Sequence, residues 1–207
     1  MSNELAYASE GFEESGVRAQ GPRGKQVCVT HMGRASYQVR LEGAFRPGWA
    51  GNVCAGLSSA GISVDRAYAV RGPDARWRAE FDVRQLHGGP SPKDVPYALL
   101  TEKEPNLDAA DALAIESFSI TPSAAHGGSL ELALEARDAL GFLGTLLGKL
   151  AFVSLLPVEL RVETHGDRVL DRLWLTGVGG GAPSVEARVM LLRELQRRTP
   201  KAPTPPV

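Results

Sequence analysis

Ser129-Leu-Glu-Leu-Ala-Leu-Glu135 alternates apolar and polar side chains, and the residues that follow change to a helical spacing. Leu130, Leu132 and Leu134 fall on one side of an extended chain and Glu131 and Glu135 on the other, the period of a strand with one buried face. Beyond Gly141, the residues Leu143, Leu146, Leu147, Leu150 and Ser154 recur at i, i+3, i+4, i+7 and i+11, one stripe of an α-helix. Val158-Glu-Leu-Arg-Val-Glu-Thr164 alternates again, His165-Gly-Asp167 supplies turn chemistry, and Val169-Leu-Asp-Arg-Leu-Trp-Leu175 returns as a strand. Pro183-Ser184 then opens a helix, with Ser184 as its cap and Val185, Val189 and Leu192 as its expected apolar side.

The same plan occurs 93 residues earlier, where Gly48 stands against Gly141 and Leu41-Glu42 against Leu134-Glu135. Tyr37, Val39 and Leu41 form the inward side of a first strand, and Ala50, Val53, Cys54, Leu57 and Gly61 match the helical stripe. Gly51 and Ala55 match Gly144 and Gly148, small residues four apart that permit a close helix approach or simply face solvent. At this offset Asp74 meets Asp167 and Phe81 meets Trp174, which aligns the two hairpins. Prolines 90, 92, 96 and 105 leave room only for a short helix around Val95–Lys103, and a strand over Leu113–Thr121 is expected to close the first copy.

The order strand, helix, strand, strand, helix, strand predicts an α+β protein of two tandem ferredoxin-like units, with antiparallel sheets and helices on one face. Expected bounds are 1–25 for a flexible tail, 26–122 and 126–199 for the copies, and 200–207 for a proline-rich tail. Unpaired sheet edges favour association, side by side within the chain or as a homodimer.

With 23 Lys+Arg against 24 Asp+Glu the net charge is −1, so no basic field calls for nucleic acid or an anionic membrane. The start of the chain lacks the pattern of a secretory signal, and the most apolar run, 142–158, is broken by Lys149, Thr145, Ser154 and glycines, so a cytoplasmic protein is expected. Two cysteines make no disulfide framework, and histidines 31, 87, 126 and 165 are too scattered for a metal centre. Gly144-Thr-Leu-Leu-Gly-Lys149 is one residue short of a phosphate loop and lies inside an apolar helix. His165, Asp167, Arg168 and Asp171 gather near one hairpin and read as a solvated turn with surface pairs. No catalytic set and no cofactor motif is found.

Leu132-Ala-Leu-Glu-Ala-Arg-Asp-Ala-Leu-Gly-Phe-Leu143 and Thr164-His-Gly-Asp-Arg-Val-Leu-Asp-Arg-Leu-Trp-Leu-Thr176 resemble the ACT domain, in the variety repeated at the end of glutamine-sensing bacterial uridylyltransferases. Tandem copies without an enzyme are similar to the glycine-cleavage-system repressor group. The resemblance implies a small ligand, usually an amino acid, held by the turn between first strand and first helix at an interface between two domains. On matching positions it implicates Asp138, Leu140, Gly141, Phe142 and Leu143. The first copy contributes Arg46, Gly48 and Trp49, but Phe45 stands where the acid is expected, which puts that site in doubt. The expectation is a non-catalytic regulator acting through protein contact. The alternatives are an assembly module, for which Phe142, Phe152, Leu155 and Leu156 offer apolar surface, and a small enzyme using the hairpin charges or His87.

Overall fold

Alternation and helical spacing become elements much where they were read. The computed structural model describes residues 17–21, 24–86, 88–104 and 113–199, so His87 and the proline-rich end at 200–207 lie outside the described residues. The elements are β1 (Val17–Gly21), β2 (Lys25–Gly33), β3 (Ser36–Gly43), α1 (Trp49–Ser59), β4 (Ile62–Arg71), β5 (Trp77–Gln85) and the one-turn α2 (Tyr97–Leu100). They continue as β6 (Ile115–Pro122), β7 (Leu130–Arg137), α3 (Phe142–Phe152), β8 (Leu155–His165), β9 (Arg168–Gly177) and α4 (Val185–Gln196). Helices α1 and α3 begin and end at the 93-residue offset, and each starts on a left-handed glycine, Gly48 (φ 81°) and Gly141 (φ 87°).

Among the described residues, the nine strands form one antiparallel sheet in the order β1-β2-β3-β5-β4-β8-β9-β7-β6, an α+β architecture. Its two halves join where β4 pairs with β8, from Arg66 opposite Glu163 to Val70 opposite Glu159. The helices cover one face, and a continuous core runs under them, including Val39, Leu41, Ala69, Phe81, Leu132, Leu134, Leu160 and Leu173. The other face carries ion-pair ladders such as Arg40–Glu80, Arg66–Asp82 and Arg172–Glu131, which suit a solvated surface.

Across the join, α1 packs on α3 through the small residues. A Cβ added at Gly144 would lie 2.9 Å from the Ala55 nitrogen, and one added at Gly51 would lie 3.3 Å from the Leu147 Cβ. The small face is therefore the contact between the helices, and the solvent reading is set aside.

Four expectations are corrected. The strand expected to close the first copy, β6, instead pairs with β7, placing Ile120 opposite Leu132. The edge beside β3 is already taken by β2, which a tight connection at Arg34-Ala35 folds back onto it. Each half is thus led, not closed, by the strand beside its first helical crossover. Val17–Gly21, read as tail, is strand β1 paired with β2.

The hairpin alignment slips by one residue. Five residues join β4 to β5 and two join β8 to β9, so that Ala67 faces Phe81 while its counterpart Leu160 faces Leu173. Because side chains alternate, that slip turns Trp174 to the outer face, where the Arg161 guanidinium lies 5.2 Å from its ring centre. In α4, Ser184 caps the helix as expected, accepting from the Ala187 N–H at 3.1 Å. The buried side is nevertheless Ala187, Leu191 and Leu195, and Val185, Val189 and Leu192 are exposed. Both stripes are apolar and their centres lie about 125° apart at 3.6 residues per turn, so composition alone could not choose between them.

Candidate functional site

The two strand-to-helix turns lie at opposite ends of the α1/α3 contact, each facing the other half of the sheet. The first turn, with Phe45, Pro47, Gly48, Trp49, Ala50 and Gly51, faces Leu147, Leu156, Pro157 and Val158 across a cavity of about 230 Å³. The second turn, from Asp138 to Gly144, faces Cys54, Ser58, Ile62, Ser63 and Val64 across a pocket of about 30 Å³. Residues 45–51 and 138–144 correspond at the 93-residue offset, as do Cys54 with Leu147 and Ser63-Val64 with Leu156-Pro157. The two spaces are the same junction made twice.

They differ in size because of what fills them. At the first, Ala50 stands where the second has Leu143, and Gly177, Gly179 and Gly180 contribute no side chains to the far wall. At the second, the Ser58 hydroxyl closes over the turn, so that a Cβ at Gly141 would meet its Oγ at 3.3 Å. The turn that best matches the resemblance therefore has the smaller space, and the turn placed in doubt has the larger.

The first cavity holds one cationic side chain, Arg71, and no acidic one. Helix α1 starts at its rim without a side-chain cap and without an acid in its first turn. The Trp49 N–H donates to the Arg46 carbonyl and the Asn52 N–H to that of Gly48, leaving the Ala50 and Gly51 amides as the helix-start donors at the cavity. Thr176 is buried, its hydroxyl donating to the Leu156 carbonyl at 3.4 Å. Trp49 is buried against Phe45, Trp77 and Phe81, with ring centres 4.8, 5.3 and 6.3 Å away, which fixes the apolar floor. Such a site presents positive potential over an aromatic base, the complement of a small carboxylate.

Arg46, expected at this site, instead pairs with Glu102 at 3.3 Å and Glu104 at 2.8 Å. Lys25, buried beside Phe45, pairs with the same Glu102. Of the second-turn residues, Phe142 and Leu143 are buried, whereas Leu140 is exposed. Asp138 accepts a hydrogen bond from the Ala139 N–H; burial and the nearby Asp65 raise its pKa, against a lowering by Arg84.

Asp171, read as part of a solvated hairpin, is 3% exposed, and neither carboxyl oxygen has a hydrogen-bond partner. Burial first and Asp138 second push its pKa up to about 7. Cys54, on the buried face of α1, is pushed up to about 12 by burial and by Asp171, which disfavours its thiolate. The strand period carried the signal for Asp171: it is in phase with Val169, Leu173 and Leu175, all buried. Arg71 and Thr176 had no local signal, and Gly179-Gly180 read only as a turn, because they reach the first cavity through the turn-to-sheet junction.

Among the described residues no group of three or more His, Cys, Asp and Glu side chains is placed to hold a metal ion, and no helix is long and apolar enough to cross a membrane.

No family model and no curated protein matches the chain. Among solved structures, the chain is similar to the aspartate kinase of Synechocystis, with 13% identity and a TM-score of 0.44 over 84% of this chain and 28% of that one. The chain thus spans less than a third of that protein's length, and a likeness of this grade adds nothing to the geometry.

Proposed function

We propose that the chain is a non-catalytic regulator built of two ACT-like units in tandem, which senses an amino acid or a related small carboxylate at the junction between them. The observation that carries this reading is the cavity of about 230 Å³ at the first turn, with a left-handed glycine, an uncapped helix start and Arg71 around an aromatic floor. The carboxylate would be held by the Ala50 and Gly51 amides and by Arg71, and its apolar body would lie against Trp49 and Trp77. Since the walls come from both halves of the sheet, a bound ligand ties them together, and tightening of that joint is what a partner would sense. Partner contact is assigned to the exposed apolar stripe of α4, Val185, Val189 and Leu192. A second copy of the chain or a regulated protein would fit there.

Calorimetric titration of the full chain against the twenty amino acids and their 2-oxo acids tests the reading. Binding by at least one of them is expected, and Arg71→Ala should weaken it about tenfold, the loss of one charge-assisted contact. A folded sample that takes up none of these compounds would remove the sensing role.

A further inference from the structure

The second junction pocket poses an electrostatic problem that the first does not. Asp65 is fully engaged by Arg84, at 2.9 and 3.1 Å. Asp138 and Asp171 remain, the first in the wall of the pocket and the second buried without a partner. Asp171 lies on the helix-covered side of β9, opposite Val162 and two residues from Val169, and both valines line the pocket. Its charge is felt by Asp138 and by Cys54, which also line it.

Among the described residues, no cationic side chain is paired with Asp171. Helix α1 has no charged residue and presents only Cys54. Helix α3 has a single charge, Lys149, two turns beyond its start. Strand β7 points Leu132, Leu134 and Ala136 inward, and the Arg161 and Glu163 side chains of β8 are exposed. The turn offers Asp138, a like charge. An ionised Asp171 must therefore take up a proton or a counter-ion from outside.

The pocket suits the counter-ion. Its volume of about 30 Å³ admits an occupant of water size. Oxygen lone pairs are at hand on Asp138, on Ser58, whose hydroxyl donates to the Ala55 carbonyl, and on Ser63, whose hydroxyl donates to Asp65. We propose that this pocket is a subsite for one monovalent cation of ammonium size, namely an ammonium or potassium ion or the head of a primary amine, with Asp138 in its wall and Asp171 behind its floor as counter-charges. The proposal stands apart from the function proposed above, which places its carboxylate in the first cavity.

Cation binding is then linked to proton release. With Asp171 titrating at about 7, its ionised fraction rises about tenfold between pH 6 and pH 8, and affinity rises with it. The experiment is thermal unfolding of the full chain at constant ionic strength in ammonium, potassium, methylammonium or tetramethylammonium chloride. Ammonium should raise the midpoint above that in tetramethylammonium, which is too large to enter, with half-saturation about tenfold lower at pH 8 than at pH 6. Asp171→Asn keeps the shape and should weaken the response about tenfold and abolish its pH dependence. Asp138→Asn, at the pocket wall, should weaken it as well. A potassium response equal to that of ammonium supports an inorganic ion as occupant, and a methylammonium response supports an amine head. Equal midpoints in ammonium and tetramethylammonium at pH 8, or an undiminished response in Asp171→Asn, would overturn the proposal. Carboxylate titration reads the first cavity separately, so either reading can fail alone.

Discussion

Asp171 and Ala79 hold equivalent places in the two halves, Asp171 opposite Leu134 and Ala79 opposite Leu41. A methyl group in one half is thus matched by a buried carboxyl in the other, and burial makes the charge expensive. Its pKa stands near 3.8 in the unfolded chain and is pushed up to about 7 in the folded one, so the native state holds that proton more tightly. Stability from this group is complete below about pH 4, drains away as the pH rises towards 7, and stays lost above it. Asp171→Val should therefore stabilise the protein, with a gain at pH 8 exceeding that at pH 4 by roughly 3–4 kcal/mol, measured by urea unfolding at the two pH values. Ser154 supplies a second residue-scale test. It takes a left-handed conformation, φ 61°, at the position where the first half has Gly61 at φ 68°. Ser154→Gly should add about 0.5–1 kcal/mol and raise the unfolding midpoint by about 2–4 °C, since a β-carbon is strained there and a glycine is not.

Between elements, the packing of α1 on α3 depends on absent side chains. The added Cβ at Gly144 would press on backbone, which cannot yield, whereas the one at Gly51 would press on a leucine side chain. Gly144→Ala should cost about 2 kcal/mol or more and Gly51→Ala about half as much, read as shifts in the urea midpoint. This joint shows where sequence reading succeeded and where it stopped. Period and stripe located α1, α3 and the strands flanking them, because one buried face imposes that spacing whatever lies opposite. The small-residue face was noticed but not placed, since glycine spacing is the same against a helix or against water. The fates of β2 and β6 were missed for a related reason: hairpin partners are chosen by connection length and by which edge is free. At the candidate sites, Gly48, Trp49, Asp138 and Gly141 were implied by the family resemblance, whereas Arg71 and, from the other half of the chain, Thr176 reach the first cavity only through the fold.

For the whole molecule, the paired β4 and β8 and the shared core predict that the two halves unfold as one cooperative unit. Trp49 and Trp77 lie in the first half and Trp174 in the second. Variants keeping only one set, with phenylalanine elsewhere, should give the same urea midpoint by fluorescence and by circular dichroism; separate midpoints would mean that the joint is weaker than its pairing implies. The placement of the outer strands has a consequence for biosynthesis. Because β2 precedes β3, and β6 precedes β7, each half leaves the ribosome with its border strand already made. The strands and helix of the first half all lie within residues 17–104, so its own pairing partners are made before β6 emerges, while α1 and the core wait for α3 and β8. Until β8 emerges, the side of β4 that it later covers is open, and there Arg66 and Tyr68 project from the outer face. A charge on an open strand discourages pairing with a neighbouring nascent chain. Arg66, paired with Asp82, thus sets a charged pair on the seam where Glu163 later comes to lie opposite it.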